Sequence, residues 1–530
     1  MLSSSSSSSL RVSAARRLQQ TALSSSPPPT AVSFTPSFPR PSRPLSTSPS
    51  SQISASAPNA ASYRKKNIKH HFDRNLKRDA IVLQEPGLDD AAIVQQHVEA
   101  AFKKAGEAKG PLQPIDVEAL RAEMIRRPRR STYDFLYPTH NHLLNLALFD
   151  ALPVEARAGN IAAKPNRYSG LGTGNMEDMR FMLPARLQRG FGAPVLPHAH
   201  HLVYFPLQRP SSLLLPDGTD PGQSPGPPFV RRMWAGGFLR WKYPQRLQID
   251  GRRIICIERI DPDTLRVRGA LGHERVFVDV WRRYGSMEAE ADSQDFDEWT
   301  FKDLEDQIEK DPALEERRTL VFMRARDDVP DGVDATLKQK KIKGIEEKVV
   351  LTKQKPEYSF KMTPTREMLF QFSALTYNTH AIHLDPEYCR KVEGYRDLLV
   401  QGPLILVLMM SALRAKAKMI SEDDPDARTF GPRTIYNIEY RNLAPLYVNE
   451  ELKVCVARRN QERLGRRGRY FLWDVWVENH KGSLCAKGSG VTRGKTPKLL
   501  EMKEGEEEHD ELDEFGSLDE FERMFVSQGR

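Results

Sequence analysis

Asn378, His380 and His383 fall two and three residues apart, and Asp385 follows two residues later. An imidazole has an ordinary pKa of about 6.5, so His383 is a natural proton carrier near neutral pH, with His380 as a second. Asn378 can orient a water or hydroxyl but cannot act as a base. Farther along, Gly402 and Pro403 open the apolar run Leu404 to Leu413. Proline suits the first position of a helix, where its missing N–H has no helical partner to lose. The amide of Gly402 then stands at the positive end of a buried helix, where it can hold a developing oxyanion. Together these groups can polarise a carbonyl and move a proton beside it. Asp385 precedes Pro386 and reads first as the cap of a helix beginning there. The crowding of His380, His383 and Asp385 also allows a metal site, which stands as the lesser reading. Cys389 has no activating neighbour, and no serine-hydrolase elbow is visible.

The stretch from Leu369 to Leu413 resembles the hydratase motif of the MaoC-like, (R)-specific enoyl hydratases. In that family a Ser/Thr-Gly-Asp-x-Asn-Pro-x-His core precedes a His-Gly pair at the start of a central helix. The chain looks most similar to the mitochondrial type 2 3-hydroxyacyl-thioester dehydratases and the mesaconyl-CoA-hydratase-like proteins. The match continues through Gly394, Tyr395 and Gly402-Pro403-Leu404. His383 matches unchanged. Asn378 stands where the family's catalytic Asp usually is, His380 where its Asn is, and Gln401 where a His often precedes the helix-start Gly.

The resemblance implies an α+β, double hot-dog fold, an antiparallel sheet wrapped around central helices. It also implies dehydration of (3R)-hydroxyacyl thioesters, or the reverse hydration of 2-enoyl thioesters, with no metal and no organic cofactor. On this reading the catalytic set is His383, Asn378, the Gly402 amide and His380, and the substrate-binding set is Tyr377, Tyr395 and Pro403. The substrate would be carried on acyl carrier protein or CoA. A hot-dog acyl thioesterase and a non-catalytic acyl-thioester-binding protein are the alternatives, since one fold serves several chemistries.

The elements that must position these groups show a consistent texture. Ala91 to Ala105 and Ile115 to Arg126 have helical spacing, and Leu143 to Leu152 is an apolar, helix-like run. Gly170, Gly172 and Gly174 alternate, but with no preceding strand and no following Lys-Ser/Thr they read as a surface loop. Strand candidates follow at His201 to Phe205, Phe229 to Trp241, Arg253 to Ile260, Leu265 to Gly269, Arg275 to Arg283 and Thr319 to Arg324. Residues 286–316 are acidic and helix-compatible. After the apolar helix and a polar loop at Ser421 to Gly431, strands are expected at Thr434 to Arg441, Leu452 to Arg459, Arg469 to Glu478 and Ser483 to Thr492. Val278-Asp279-Val280-Trp281 and Trp473-Asp474-Val475-Trp476 echo each other late in two series of strands, as a duplicated fold would have them.

These readings divide the chain into a leader at 1–60, a degenerate N-terminal hot-dog with helical lead-in at 61–324, and a linker at 325–356. A catalytic C-terminal hot-dog at 357–500 and an acidic tail at 501–530 complete it. The leader holds five arginines and no acidic residue, the composition of a mitochondrial transit peptide, which implies the mitochondrial matrix and, with the resemblance, fatty-acid synthesis there. Formal net charge is +9, of which the leader supplies +5 and the remainder +4. The case for nucleic acid as a partner is therefore weak, while an anionic carrier arm remains suitable. No apolar run reaches the roughly 18–20 residues of a membrane span. The four cysteines are too scattered for zinc pairs and read as buried thiols. A homodimer is compatible with all of this.

Overall fold

The computed structural model describes residues 95–96, 114–158, 187, 192–287, 298–325, 349–423, 433–459 and 470–494. The leader, the three alternating glycines, the acidic tail and most of the linker lie outside them, as does all but 95–96 of the Ala91 to Ala105 helix.

Among the described residues, ten strands form one antiparallel sheet. They are β1 (Arg130–Phe135), β2 (Arg231–Trp241), β3 (Arg253–Arg268), β4 (Arg275–Ser286), β5 (Leu314–Met323), β6 (Tyr358–Met362), β7 (Thr434–Asn442), β8 (Leu452–Arg458), β9 (Tyr470–Asn479) and β10 (Leu484–Arg493). Their spatial order is β1-β3-β4-β5-β2-β7-β10-β9-β8-β6. Read inward from either edge, the first five strands of the chain and the second five run in the same sequence. The fold is α+β, a hot-dog plan used twice and joined through the second strand of each half.

The echoed tetrapeptides fall on the matching strands β4 and β9, each starting at the fourth residue of its strand. Their aspartates are used alike. Asp279 lies opposite Thr319 and accepts from its Oγ1 at 2.6 Å and from Arg266 at 3.1 Å. Asp474 lies opposite Ser489 and accepts from its Oγ at 3.3 Å and from Arg459 Nε at 3.0 Å.

At the seam, Gly236 and Gly237 of β2 face Arg441 and Tyr440 of β7. A Cβ on Gly236 would meet Tyr440 O at 2.3 Å, and one on Gly237 would meet Arg317 O at 2.3 Å. Only glycine lets the backbones approach this closely.

The helices are α1 (Val117–Ile125), α2 (Pro138–Ala147), α3 (Glu298–Lys310), α4 (Arg366–Thr376) and α5 (Gly402–Asp423). Every residue of α5 from Leu404 to Leu413 is buried, as expected for a helix that is apolar on all sides. Each such aliphatic side chain contributes about 1.5–3 kcal/mol by leaving water. The cluster around α5 includes Leu239, Trp241 and Tyr284 from the first half and Val454, Trp473 and Val475 from the second, so one core serves both. No helix among the described residues is long and apolar enough to cross a membrane.

Several elements differ from expectation. His201 to Phe205 is not a strand: His200–Val203 forms one 3-10 turn. Ala199 and Phe205 bracket it at φ 68° and 56°, which breaks any extended run at both ends. A short, wholly buried apolar run does not distinguish strand from turn by periodicity. The two strand candidates at Arg253 to Ile260 and Leu265 to Gly269 are one strand, β3, with an irregularity between Asp261 and Arg266. The helix near Leu143 starts earlier, with Pro138 in its first turn, and ends at Ala147. Within 286–316 the helix covers only Glu298–Lys310, and β5 has already begun at Leu314. Strands β1 and β6 and helix α4 had no counterpart in the sequence reading.

Candidate active site

The motif residues sit on the turn that follows α4. Thr365 caps the start of this helix, its Oγ1 accepting from Met368 N at 3.2 Å. Tyr377 ends it in the left-handed region at φ 51°, and Asn378 N donates back to Ser373 O at 2.8 Å. Asn378 Oδ1 then accepts from His380 N at 3.2 Å, which bends the chain into the one-turn 3-10 helix Ala381–His383. The amide of residue 378 is thus engaged in shaping the turn.

His383 is 7% exposed, and its Nδ1 lies 2.8 Å from Leu399 O. A carbonyl can only accept, so Nδ1 carries the hydrogen, and Nε2 keeps its lone pair with no partner among the described residues. Burial, partly offset by the Leu399 bond, lowers this imidazole to about 4, and the nearby Arg232 charge adds to the effect. It is therefore neutral at physiological pH, with the Nε2 lone pair free to accept a proton. Leu399 N in turn donates to Ile382 O at 3.0 Å, and Leu399 pairs with Tyr447. His383 is therefore fastened to the segment that enters α5 three residues later.

At that entry, Gln401 is fully buried and ties α5 to α4, its Nε2 donating to Leu369 O at 2.8 Å and Ser373 Oγ at 3.0 Å. This glutamine has a positioning task here. Gly402 begins the helix, and its N–H has no acceptor among the described residues. Trp234 of β2 lies against it: a Cβ on Gly402 would meet Trp234 Cβ at 2.8 Å. Pro403 follows, half-buried in the first turn.

His380 is 5% exposed, with its ring perpendicular to that of His383 and the centroids 5.5 Å apart. Burial, then the neighbouring His383 and Arg232, hold it well below the usual imidazole range. Its Nε2 faces Asp217 Oδ2 at 3.5 Å. Tyr395 is half-buried, its hydroxyl 3.8 Å from Met233 Sδ of β2. Tyr377 is 58% exposed and is not packed into the turn it terminates. Asp385 caps the next turn, accepting from Glu387 N at 2.8 Å and Tyr388 N at 3.1 Å. Its carboxylate is spent on the cap and does not join the histidines as a ligand; no group of three metal-ligating residues converges among the described residues. Burial pushes the Cys389 thiol up to about 11, and its Sγ donates to Ile382 O, which suits a packed thiol and not a nucleophile.

Hydroxyacyl-thioester dehydratase type 2 is the family whose sequence model matches residues 199–448. The chain is similar to those dehydratases over that span. It is 26% identical over 263 residues to the mitochondrial hydroxyacyl-thioester dehydratase type 2 of Schizosaccharomyces pombe, covering 49% of this chain and 76% of that one. It is 27% identical over 286 residues to the mesaconyl-C(4)-CoA hydratase of Chloroflexus aurantiacus, covering 53% of this chain and 82% of that one. Among solved structures, a MaoC-like dehydratase from Phytophthora capsici overlays with a TM-score of 0.39 at 11% identity, over 71% of this chain and 99% of that one.

The span shared with the type 2 dehydratases runs from the 3-10 turn of the first half to Val448, and so takes in both His383 and Gly402. It also contains Asp217, Gly218 and Arg232, which act on the histidine turn from the first half, and Trp234, which lies against Gly402; motif reading passed over all four. Asp217 and Gly218 lie in a Pro- and Gly-rich loop where a turn signal was the only local clue. Arg232 and Trp234 are ordinary strand residues until the halves meet.

Proposed function

We propose that this chain is a hydro-lyase that interconverts 3-hydroxyacyl and 2-enoyl thioesters, with His383 as its proton carrier and the Gly402 amide as its oxyanion donor. The observation that carries the reading is the His383–Leu399 hydrogen bond. It leaves Nε2 unprotonated and bolts the ring to the segment leading into the Gly402 helix start. In the dehydration direction, Nε2 takes the proton from C2 of the substrate. The electron pair moves toward the thioester carbonyl, where the free N–H of Gly402 at the positive helix end stabilises the enolate oxygen. The enolate then expels the C3 hydroxyl, which receives the proton from His383 and departs as water. No proton is consumed overall, and hydration is the same path reversed. Asn378 and His380 border this route, and Tyr395 and Pro403 line the approach to it. Donors of the Gly402 kind contribute on the order of 3 kcal/mol in comparable sites.

The location and carrier follow the relatives and the leader. Two relatives, the type 2 dehydratases of Schizosaccharomyces pombe and Saccharomyces cerevisiae, are named as mitochondrial. The arginine-rich, acid-free first 60 residues suit import into the matrix. Acyl carrier protein in mitochondrial fatty-acid synthesis is the carrier that fits this location, with CoA as the second.

The deciding experiment follows the ultraviolet absorbance of crotonyl and longer 2-enoyl thioesters, on CoA and on carrier protein. Loss of the conjugated double bond with no free thiol supports the reading. Release of thiol points to a thioesterase, and tight binding without turnover to an acyl-thioester-binding protein.

A further inference from the structure

The turn bearing the two histidines is held by the other half of the molecule. Thr379 Oγ1 donates to Gly218 O at 2.6 Å, and Ala381 N donates to Asp217 O at 2.9 Å. Gly218 has φ 80°, and a Cβ there would meet Thr379 O at 2.2 Å, so the loop after Asp217 presses backbone to backbone on the turn. The Asp217 carboxylate is itself immobilised. Its Oδ1 accepts from Thr219 N at 3.0 Å and Thr219 Oγ1 at 2.6 Å, leaving Oδ2 to face His380 Nε2 at 3.5 Å. Both side chains are 7% exposed. This contact is longer than an ordinary N–H···O hydrogen bond, and a closure of a few tenths of an ångström would make it one. The other polar groups acting on the pair are Arg232 of β2, His383 and the phenol of Tyr388.

We propose that Asp217 is a positioning residue of the reaction: it accepts from Nε2–H of a neutral His380, fixing the tautomer whose Nδ1 is free to accept a hydrogen bond from the water or C3 hydroxyl. The carboxylate missing at position 378 is thereby supplied from the first half, acting through an imidazole instead of touching the substrate. Burial keeps His380 neutral, which makes its tautomer, not its charge, the property that a neighbour can set. This inference rests on the hydratase reading of the same site.

The test is Asp217→Asn, which changes almost no volume. Thr219 N and Oγ1 both donate toward Oδ1, so the amide oxygen is held there and the NH2 is turned toward His380. An NH2 donates to Nε2 and drives the hydrogen to Nδ1, the opposite tautomer. In long-range proton–nitrogen spectra of the histidine-labelled full chain, with the His380 signals assigned from a His380→Gln variant, Nε2 is expected to change from pyrrole-like to pyridine-like. The kcat for 2-enoyl thioester hydration is expected to fall about 10- to 100-fold, with KM changed far less, because a wrongly set tautomer disables an otherwise intact site. Wild-type protein with its hydrogen on His380 Nδ1 overturns the proposal, whatever the variant does. So does a tautomer switch with kcat unchanged, or a kcat loss with the tautomer unchanged. Wild-type protein that leaves 2-enoyl thioesters unhydrated instead overturns the hydratase reading itself, so the two failures are distinguishable.

Discussion

Trp234 and Gly402 meet across the two halves, the indole base lying where a side chain on the helix-start residue would have to be. Trp234 is held there on both sides: its Nε1 donates to Tyr440 OH at 2.8 Å, and its carbonyl accepts from Asn442 Nδ2 at 2.9 Å. The Gly402 helix start, the proposed oxyanion end of the site, is thus walled by a strand of the half that carries none of the motif.

Gly402→Ala tests that contact. The added Cβ meets Trp234 Cβ and Cγ at 2.8 and 3.0 Å, atoms close to the backbone and hard to displace, and Asn442 Nδ2 at 3.1 Å. Alanine would otherwise favour the helix by about 1 kcal/mol, so a net loss of about 1–3 kcal/mol in urea unfolding marks the clash. The kcat should fall along with it as the helix start shifts.

His383→Ala removes the imidazole whose ring is tied, through Leu399, to the α5 entry. Hydration kcat should drop about 10²- to 10⁴-fold, while thermal unfolding changes much less than kcat does. Stopped assays with crotonyl-CoA and a carrier-bound enoyl substrate measure it.

Asp385→Ala separates capping from catalysis. Loss of two backbone acceptor contacts should reduce stability by about 1 kcal/mol, with kcat changed less than threefold. A kcat loss of the size seen for His383→Ala would place Asp385 in the chemistry instead.

Acid stability should be set by buried imidazoles before carboxylates matter. Burial lowers His198 to about 3 and His383 to about 4 and holds His200 and His380 well below the ordinary range. Unfolded, each titrates near 6.5, so between about pH 6.5 and 4 the unfolded chain binds more protons than the native one, and stability declines as pH falls. The expected loss is about 1 kcal/mol per histidine from pH 7 to 5.5. By contrast Asp220, which burial alone would raise, is held down at about 2 by Arg130 and contributes only in stronger acid. Urea midpoints at stepped pH measure the curve.

The second half was largely legible from sequence because its signals are local. A wholly apolar run after Gly402-Pro403 gives α5, and alternating Val, Tyr and Trp residues give β7 to β10 within a few residues. The echo of Asp279 and Asp474 was legible for the same reason. β1 and β6 were missed because they are outer strands, short and mixed in polarity, whose partners β3 and β8 lie far along the chain. Asp217, Arg232 and Trp234 acquire their meaning only from contacts made across the seam, and nothing in their own neighbourhoods marks them. The motif showed which groups could react, but not that a loop more than 150 residues earlier would hold them.

The five residue pairs joining β2 to β7, from Gly236 with Arg441 to Arg240 with Asn437, make the seam a stretch of ordinary hydrogen-bonded ladder. Such a junction cannot swing open like a clamshell without tearing main-chain bonds in the middle of a sheet. Admission of an acyl chain must therefore fall to side chains and surface turns around a rigid frame, and any molecule that slows this protein by wedging will act at those turns.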